Sequence, residues 1–470
     1  MYKKLKYIAL SILMSITIFS CSDNFLEIDP EQNVPAENAV IDENTLKTAL
    51  NGVYSELQSS NYYGRSIYVI PELMADNLFL SSRNTGRYLD FDNFVVSERD
   101  SYVEGLWIKL YSVLANASRV IEGGEKLKSG STEQQALFDQ LVGEAYALRA
   151  LAHFDLVRLF AQPYNFTSDA SHLGIPIINQ VYNERISPPR DNVKNVYKQI
   201  NSDIETAINK MSASKKNGKF SVGGAKALAA RVALYQEDYD AAITYSTQVI
   251  NSGTFQLIDH DQYADLWAND FNSESIFEIV NTVSDNSGTN GLGHFFHVKG
   301  YADALVPLDI INTYDPDDIR LNAIIQGAKP GAEQDANFVG KFPKGTEHDD
   351  NLRIFRLAEQ YLIRAEAYAK TEQPTLAQED LLTVMKRAKP TAVPVTETGE
   401  DLMDLILLER RKELAFEGHR LFDLNRNKRN VTMIQSDNKT EESYPNDKFI
   451  LPIPLSELNA NPDMKQNPGY

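Results

Sequence analysis

Apolar residues recur at i, i+3 and i+4 over nine stretches of this 470-residue chain, and that spacing predicts one buried face of an α-helix. Runs typical of β-strands are few and short, and Ser275–Val280 is an example. The pattern therefore predicts a mostly α fold with a few short strands. The nine predicted helices cover residues 43–59, 103–127, 132–161, 192–211, 222–236, 239–251, 354–370, 375–388 and 401–417.

Three of the predicted helices share a five-residue frame: an arginine, a small or β-branched apolar residue, any residue, a small residue or leucine, and an aromatic ring. The copies begin at Arg149, Arg231 and Arg364, which lie 82 and then 133 residues apart. Small residues at this spacing let a second helix approach closely, as in stacked helical repeats. We expect a tetratricopeptide-like scaffold of helical hairpins in which insertions separate the repeats.

Polar stretches rich in Gly and Asn separate the helices, at about residues 80–101, 162–190, 282–300 and 327–351. Irregular segments of that length inside a compact protein are usually functional loops or insertions. The predicted architecture is therefore a helical-hairpin scaffold with long loop-rich insertions.

The first twenty residues have the organisation of a secretory signal peptide. Three lysines within the first six residues precede an apolar run, Ile8–Phe19, that is too short to span a bilayer. Cys21 is the only cysteine, and the residues before it resemble a bacterial lipobox. We expect cleavage after residues 1–20, acylation of Cys21 and an extended leader over residues 21–42. The alternative is an ordinary signal peptide beside a chance cysteine.

Composition narrows the functional classes. The chain has 46 Lys and Arg against 65 Asp and Glu, a net charge of −19, which argues against a nucleic-acid partner because phosphate neutralisation needs clustered cations. Loss of the signal peptide leaves 43 Lys and Arg against 65 acids, a net charge of −22. A single cysteine allows no intramolecular disulfide. No later apolar run is long enough to span a bilayer, so lipid alone is expected to anchor the protein.

Four segments carry a resemblance to a known family: Cys21–Pro30, Gly143–Phe160, Leu408–Arg426 and Ile450–Tyr470. They resemble the SusD/RagB family of outer-membrane nutrient-binding lipoproteins of Bacteroidetes-type bacteria. The resemblance implies a helical tetratricopeptide scaffold, a loop-rich ligand-binding region and docking onto a SusC-like TonB-dependent transporter. It also implies a lipid-anchored position on the outer membrane, facing the cell exterior, with residues 43–470 forming one SusD-like domain.

The insertions at about 80–101 and 282–351 are the expected ligand-binding regions. A sugar ring presents apolar C–H faces and hydroxyl edges, so a glycan site needs aromatic platforms beside polar side chains. The alternative is that the aromatic rings of these insertions fasten the loops to the helical body. The candidate ligand-binding residues are Arg83, Asn84, Arg87, Tyr88, Asn286, Asn290, His294, Phe295 and Tyr301.

Both tryptophans are expected to be structural. Trp107 begins a periodic helix, and Trp267 lies in a stretch rich in Phe and Leu. The chain therefore departs from a tryptophan-rich, starch-type site, and the cargo polysaccharide stays open.

One helical stripe could be mistaken for a catalytic site. Glu409, Glu413 and Glu417 lie at i, i+4 and i+8, and His419 follows them. Paired carboxylates beside a histidine can carry out acid–base chemistry or glycosidic cleavage. The same spacing is typical of Arg–carboxylate pairs that join helices, and we favour this second interpretation. No nucleophile elbow, P-loop or H-E-x-x-H motif is present, and no catalytic residue or cofactor is expected.

Two further features fall short of a metal site. Counting from Asp315, the sixth and twelfth residues are Arg320 and Gln326, where an EF-hand needs Gly and Glu. We expect an Asp–Arg pair in a turn there. His294 and His297 have no third ligand nearby, whereas zinc needs three or four. No metal site is expected.

We therefore expect a non-catalytic surface lipoprotein that binds oligosaccharide or polysaccharide and delivers it to a SusC-like TonB-dependent transporter. Three alternatives stay open. In the first, the cargo is a peptide. In the second, the Glu409–Glu417 stripe is the catalytic site of a surface enzyme. In the third, the scaffold binds a partner helix in place of a nutrient.

Overall fold

A computed structural model describes residues 40–182, 184, 186–435 and 438–470. The predicted signal peptide, Cys21 and most of the leader lie outside the described residues. The α-helices are α1 Glu43–Leu57, α2 Ser66–Leu73, α3 Leu89–Asp92, α4 Ser101–Lys126, α5 Thr132–Phe160, α6 Val193–Lys210, α7 Val222–Tyr235, α8 Tyr239–Ile250, α9 Tyr263–Ala268, α10 Leu292–Phe296, α11 Leu308–Ile311, α12 Leu357–Lys370, α13 Pro374–Ala388, α14 Gly399–Leu414, α15 Arg420–Arg426 and α16 Leu455–Ala460. The strands are β1 Phe79–Leu80, β2 Ser275–Ile279, β3 Ala304–Leu305, β4 Ile324–Gly327, β5 Ala336–Val339, β6 Leu352–Arg356, β7 Val431–Gln435 and β8 Asn438–Glu442.

The fold is mostly α, and its long helices follow the apolar periodicity to within a few residues. Capping side chains fix where several of them begin: Asp42, Asp100 and Ser131 each accept a first-turn backbone N–H, in α1, α4 and α5. Neighbouring helices pack in pairs, α4 with α5, α5 with α6, α7 with α8 and α12 with α13. This arrangement confirms the predicted tetratricopeptide-like scaffold. The strands form two-stranded antiparallel pairs: β1 with β3, β2 with β6, β4 with β5 and β7 with β8.

Two helix boundaries differ from the prediction. Residues 354–356 belong to β6, which pairs with β2, and every residue of both strands is buried. A strand that is buried on both faces lacks the alternation of apolar and polar residues that marks a half-exposed strand. Apolar periodicity therefore does not distinguish it from the start of a buried helix. α14 ends at Leu414 because the chain passes through left-handed φ values of 68° at Phe416 and 78° at Gly418.

The largest hydrophobic core contains residues from Val40 to Met464 and joins the helices to the β2–β6 pair. Smaller clusters lie under the insertions, one around Trp267 and one around Leu305. Trp107 and Trp267 are each only 4% exposed, which confirms their predicted structural role.

The arginine that opens each repeat frame binds a carboxylate on another helix. Arg149 of α5 bonds Asp203 of α6 through Nε and Nη2, at 2.8 and 2.7 Å. Arg364 of α12 bonds Asp380 of α13 in the same two-point manner, at 2.7 Å for both bonds. Arg231 of α7 bonds Glu359 of α12 in the same way, at 2.6 Å for both bonds. Two parallel charge-assisted bonds fix both distance and orientation, so each pair sets how two helices pack.

Glu413 of α14 is the centre of a buried network of ions. Its carboxylate, 0% exposed, bonds Arg356 at the end of β6, Arg387 of α13 and, at 3.2 Å, Arg320 from the insertion before β4. Burial alone would raise the pKa of Glu413, but the guanidiniums of Arg387, Arg356 and Arg320 hold the pKa well below its usual range. The carboxylate is therefore charged and fully paired.

The other members of the predicted stripe have the same role. Glu409 bonds Arg320 at 2.6 Å, and Glu417 bonds Lys341 at 2.7 Å. Arg320 also forms the predicted Asp–Arg pair, with Asp318 at 2.7 Å. Glu417 also bonds Arg356 at 2.8 Å, so Arg–carboxylate pairing of the stripe is confirmed, and the side chains of its three glutamates are at most 5% exposed.

A tight turn follows α14 and depends on one glycine. Glu72 of α2, 0% exposed, accepts the backbone N–H groups of Phe416, Gly418 and His419 at 3.1, 2.9 and 2.9 Å. A Cβ at Gly418 would lie 2.4 Å from the carbonyl oxygen of Ile67. Glycine is needed here both for its φ and for the close approach of the two backbones.

We expect the Glu413→Ala substitution to lower the unfolding free energy by about 3–5 kcal/mol, because it leaves three buried cations without their shared partner. Chemical denaturation at pH 7 measures this difference in unfolding free energy. A carboxylate whose pKa is lower in the folded state stabilises the fold above its unfolded pKa, and this stabilisation is lost as pH falls through the folded pKa.

The matched control is Glu400→Ala in the same helix, where the side chain is 82% exposed and the expected change is below about 1 kcal/mol. Loss of ligand binding by Glu413→Ala at unchanged stability would contradict the structural role of the network.

Candidate functional site

A short strand pair attaches the two predicted ligand-binding insertions to each other. β1 and β3 are antiparallel, with Phe79 opposite Leu305. Asp303, 0% exposed, reinforces the contact by accepting the Thr85 backbone N–H at 3.1 Å and the Thr85 hydroxyl. The residues after β1 and before β3 therefore lie side by side.

Arg87 and Tyr301 bring the insertions into direct contact. The guanidinium carbon of Arg87 lies 4.3 Å from the centroid of the Tyr301 ring, and Nη1 donates to the Thr85 hydroxyl at 2.5 Å. The imidazole of His294 packs edge-on against Tyr301, with 4.6 Å between ring centroids. His348 Nε2 lies 3.1 Å from His294 Nδ1. We name Arg87, His294, Tyr301 and His348 the Tyr301 cluster.

The Tyr301 cluster combines a guanidinium with imidazole and phenol groups that form hydrogen bonds. Burial lowers the pKa of His294 below its usual value, so this imidazole is neutral at neutral pH and keeps one nitrogen as an acceptor. A hydrogen bond with Thr289 lowers the pKa of Tyr301, and Arg87 acts in the same direction. The arrangement offers an aromatic ring, N–H donors and acceptors on one partly exposed surface, which are the groups that bind hydroxylated or amide-bearing ligands.

Tyr88 and Phe295 are buried, at 1% and 0% exposed. Their rings meet edge to face at 5.6 Å, and Tyr88 stacks on Tyr102 at 4.2 Å. Arg65 Nε donates to the Tyr88 hydroxyl at 2.9 Å. For these two residues the structure favours the alternative interpretation, because a side chain without exposed surface has no contact to offer a ligand; they fasten the insertions to the helical body.

The predicted asparagines have different local roles. Asn84 bonds the Ser81 carbonyl at 2.8 Å and accepts from the Gly86 N–H at 2.7 Å, so it shapes a turn. Asn286 shapes a second turn, donating to the Thr282 carbonyl at 2.6 Å and accepting from the Gly288 N–H at 2.6 Å. Asn290 is exposed, and its carbonyl accepts from Arg65 at 2.8 Å.

Arg83 is exposed at the edge of the loop, with Nη1 3.4 Å from the carbonyl oxygen of Pro330. Five of the predicted ligand-binding residues therefore have exposed or partly exposed side chains that do not shape a turn. They are Arg83, Arg87, Asn290, His294 and Tyr301.

Sequence reasoning missed two residues that shape the site. His348 reaches His294 from a loop more than fifty residues away along the chain, in a left-handed conformation with φ 65°. Arg65, 4% exposed, lies against the rings of Tyr88, Tyr102 and Phe295. Neither belongs to a local pattern, so no signal in the sequence marks them.

In the described residues no group of three or more His, Cys, Asp or Glu side chains is placed to hold a metal ion. The same part of the chain contains no helix of the length and hydropathy needed to cross a membrane.

Two family profiles match the sequence. The profile described as "SusD family" matches residues 337–470, and the one described as "Starch-binding associating with outer membrane" matches residues 24–234. The SusD-like protein P38 of Formosa agariphila is 26% identical over the full length of both chains. The starch-binding protein SusD of Bacteroides thetaiotaomicron is 36% identical over 136 residues, which cover 27% of this chain and 22% of that protein.

Solved structures extend the likeness to the whole fold. A protein of Bacteroides vulgatus superposes with a TM-score of 0.83 at 30% identity, over 91% of this chain and 98% of that one. The profiles, the full-length relative and this superposition agree with the four segments noted in the sequence. The chain belongs to the SusD/RagB family.

Proposed function

We propose that this protein is a non-catalytic lipoprotein of the outer-membrane surface that binds an oligosaccharide and delivers it to a SusC-like TonB-dependent transporter. The observation that carries the proposal is the meeting of both insertions at the Tyr301 cluster. The profile name that pairs starch binding with the outer membrane, and the name of the starch-binding relative, support a carbohydrate as the ligand.

The Tyr301 cluster has the chemistry that a sugar needs. An aromatic ring packs against the C–H face of a pyranose, while a guanidinium and an imidazole bond its hydroxyls. Arg87 is already held by Thr85 and the Tyr301 ring, so little side-chain entropy is lost when ligand binds. Because the cluster lies on loops tied together by β1 and β3, its geometry exists before binding.

Peptide is the second candidate cargo. A peptide backbone presents amide donors and acceptors that Arg87, His294 and Asn290 can also bond. Asn290 is exposed and follows Thr289, which hydrogen-bonds Tyr301, and this observation keeps the alternative in place.

We expect wild-type protein to bind at least one glycan in isothermal titration against glycan and peptide libraries. Arg87→Ala and Tyr301→Ala should each weaken that binding by about tenfold, because each removes a ring or charge contact worth about 1–2 kcal/mol.

Two variants serve as controls and should leave affinity unchanged. Arg99→Ala removes a 73% exposed arginine of the insertion at about 80–101, and Tyr182→Ala removes a 36% exposed tyrosine. Binding of peptides alone would replace the carbohydrate proposal with the peptide one, and binding of no polymer would contradict both.

We also propose that acylated Cys21 anchors the mature chain. Radiolabelled palmitate should enter the wild-type protein in a bacterial host that makes lipoproteins, and Cys21→Ser should lose the label because Cys21 is the only thiol in the chain. Wild-type protein without label would remove the anchor and leave an ordinary signal peptide.

The transporter partnership has its own test. Full-length protein, extracted in detergent from its own outer membrane, should co-purify with a TonB-dependent barrel at a fixed stoichiometry. A chain that elutes alone under conditions that keep other outer-membrane complexes intact would favour the free-scaffold alternative.

A further inference from the structure

A cleft of about 350 Å³ lies between the β1–β3 pair, α11 and the β7–β8 hairpin. Its volume is within the range of small-ligand sites. Phe79, which is partly exposed, and Leu308, which is 65% exposed, supply the apolar part of its lining. An apolar surface that includes an aromatic ring and remains open to solvent suits the C–H face of a sugar. We name this space the Phe79 cleft.

The rim of the Phe79 cleft carries polar side chains that the fold does not use. Within the described part of the chain, the side chains of Asn312, Asp335 and Asn337 make no hydrogen bond or ion pair. An amide both donates and accepts, as a sugar hydroxyl does, and a carboxylate accepts from hydroxyls. These groups are therefore available to bind a hydroxylated ligand.

The charged groups of the cleft favour a neutral ligand. Lys439 bonds Asp309, which also accepts from Arg411 at 3.0 Å, so this ammonium is already paired. Asp335 has no cation partner in the described residues. A sulfated or uronic sugar would bring its negative charge next to that unpaired carboxylate, where like charges repel.

The Phe79 cleft and the Tyr301 cluster are close enough for one ligand to contact both. Tyr301 and Leu305 are four residues apart, so their Cα atoms are at most about 14 Å apart. Glu333, which lines the cleft, accepts from the Ser81 hydroxyl and the Ser82 N–H, both at 2.8 Å, at the start of the loop that carries Arg87. Both surfaces are thus built on the β1–β3 pair and the loops attached to it.

We propose that the Phe79 cleft is a second subsite that binds a neutral sugar unit of the same oligosaccharide whose neighbouring units contact the Tyr301 cluster. This inference rests on the proposed function and adds to it the cargo's charge class and a preference for length. Two linked contacts bind more tightly than either alone because the second is made within an already bound ligand. Oligomers long enough to reach both surfaces are therefore preferred over disaccharides.

Isothermal titration of the full chain with size ladders of malto-, cello- and manno-oligosaccharides tests the proposal. In wild-type protein we expect affinity to rise by about tenfold between the disaccharide and the longest member of the ladder that binds. The Asn312→Ala/Asp335→Ala double variant removes two exposed, unpaired side chains, so it should fold normally. It should lose this gain with length and keep the disaccharide affinity, whereas Arg87→Ala should weaken all lengths.

Asn322→Ala combined with Asp261→Ala is the matched control, because it removes an exposed amide and an exposed carboxylate outside the cleft. Unchanged long-chain affinity in the Asn312→Ala/Asp335→Ala variant, or wild-type affinity independent of length, would overturn the second subsite and leave the proposed function standing. If a sulfated or uronic oligosaccharide ladder binds more tightly than the neutral ladders through the same two residues, the proposal that the bound sugar is neutral would be overturned. Failure of every glycan to bind wild-type protein would overturn the proposed function itself.

Discussion

Buried pairs of guanidinium and carboxylate groups hold this molecule together, and the candidate site depends on them. Burying a charge is costly, so each such group must be met by a partner in good geometry. The three repeat arginines satisfy this requirement between helices, for example Arg231 with Glu359 at 2.6 Å for both bonds. Glu413 and Glu417 extend the same interaction to Arg320 and Lys341, which belong to the second insertion. The network therefore joins the scaffold to the loops that carry the site.

The insertions are long and irregular, yet they position polar side chains closely. Such loops order only when buried contacts offset their conformational entropy. Tyr88 and Phe295 provide that burial, and Asp303 ties the first insertion to the second through Thr85. Exposed residues between these attachment points can then be substituted without loss of the fold. Binding residues can vary on a rigid scaffold in this way, as loops commonly allow.

The sequence predicted the scaffold well because its signals are local. Apolar periodicity marks each long helix, and the repeat frame marks residues that pack between helices. The start of α12 was misplaced because β6 owes its strand conformation to pairing with β2, which local periodicity does not report. At the candidate site, composition indicated two insertions that the structure brings together, but it did not indicate which of their side chains stay exposed. An aromatic ring in a loop has the same local sequence whether it faces solvent, as a binding residue would, or is buried as Tyr88 is. The contact of His348 with His294 is long-range and leaves no local trace.

A protein that hands cargo to a transporter must release it as well as bind it. Variation in affinity among related complexes lies mostly in the dissociation rate, so a deep, fully enclosing pocket would hold the ligand too long. The Tyr301 cluster and the Phe79 cleft are both open, partly exposed surfaces. Under the proposed function, two weak contacts on one face give useful avidity for a polymer, while each breaks quickly on its own. A ligand can then leave one contact at a time as the transporter takes over its other end, which a single tight site would not allow.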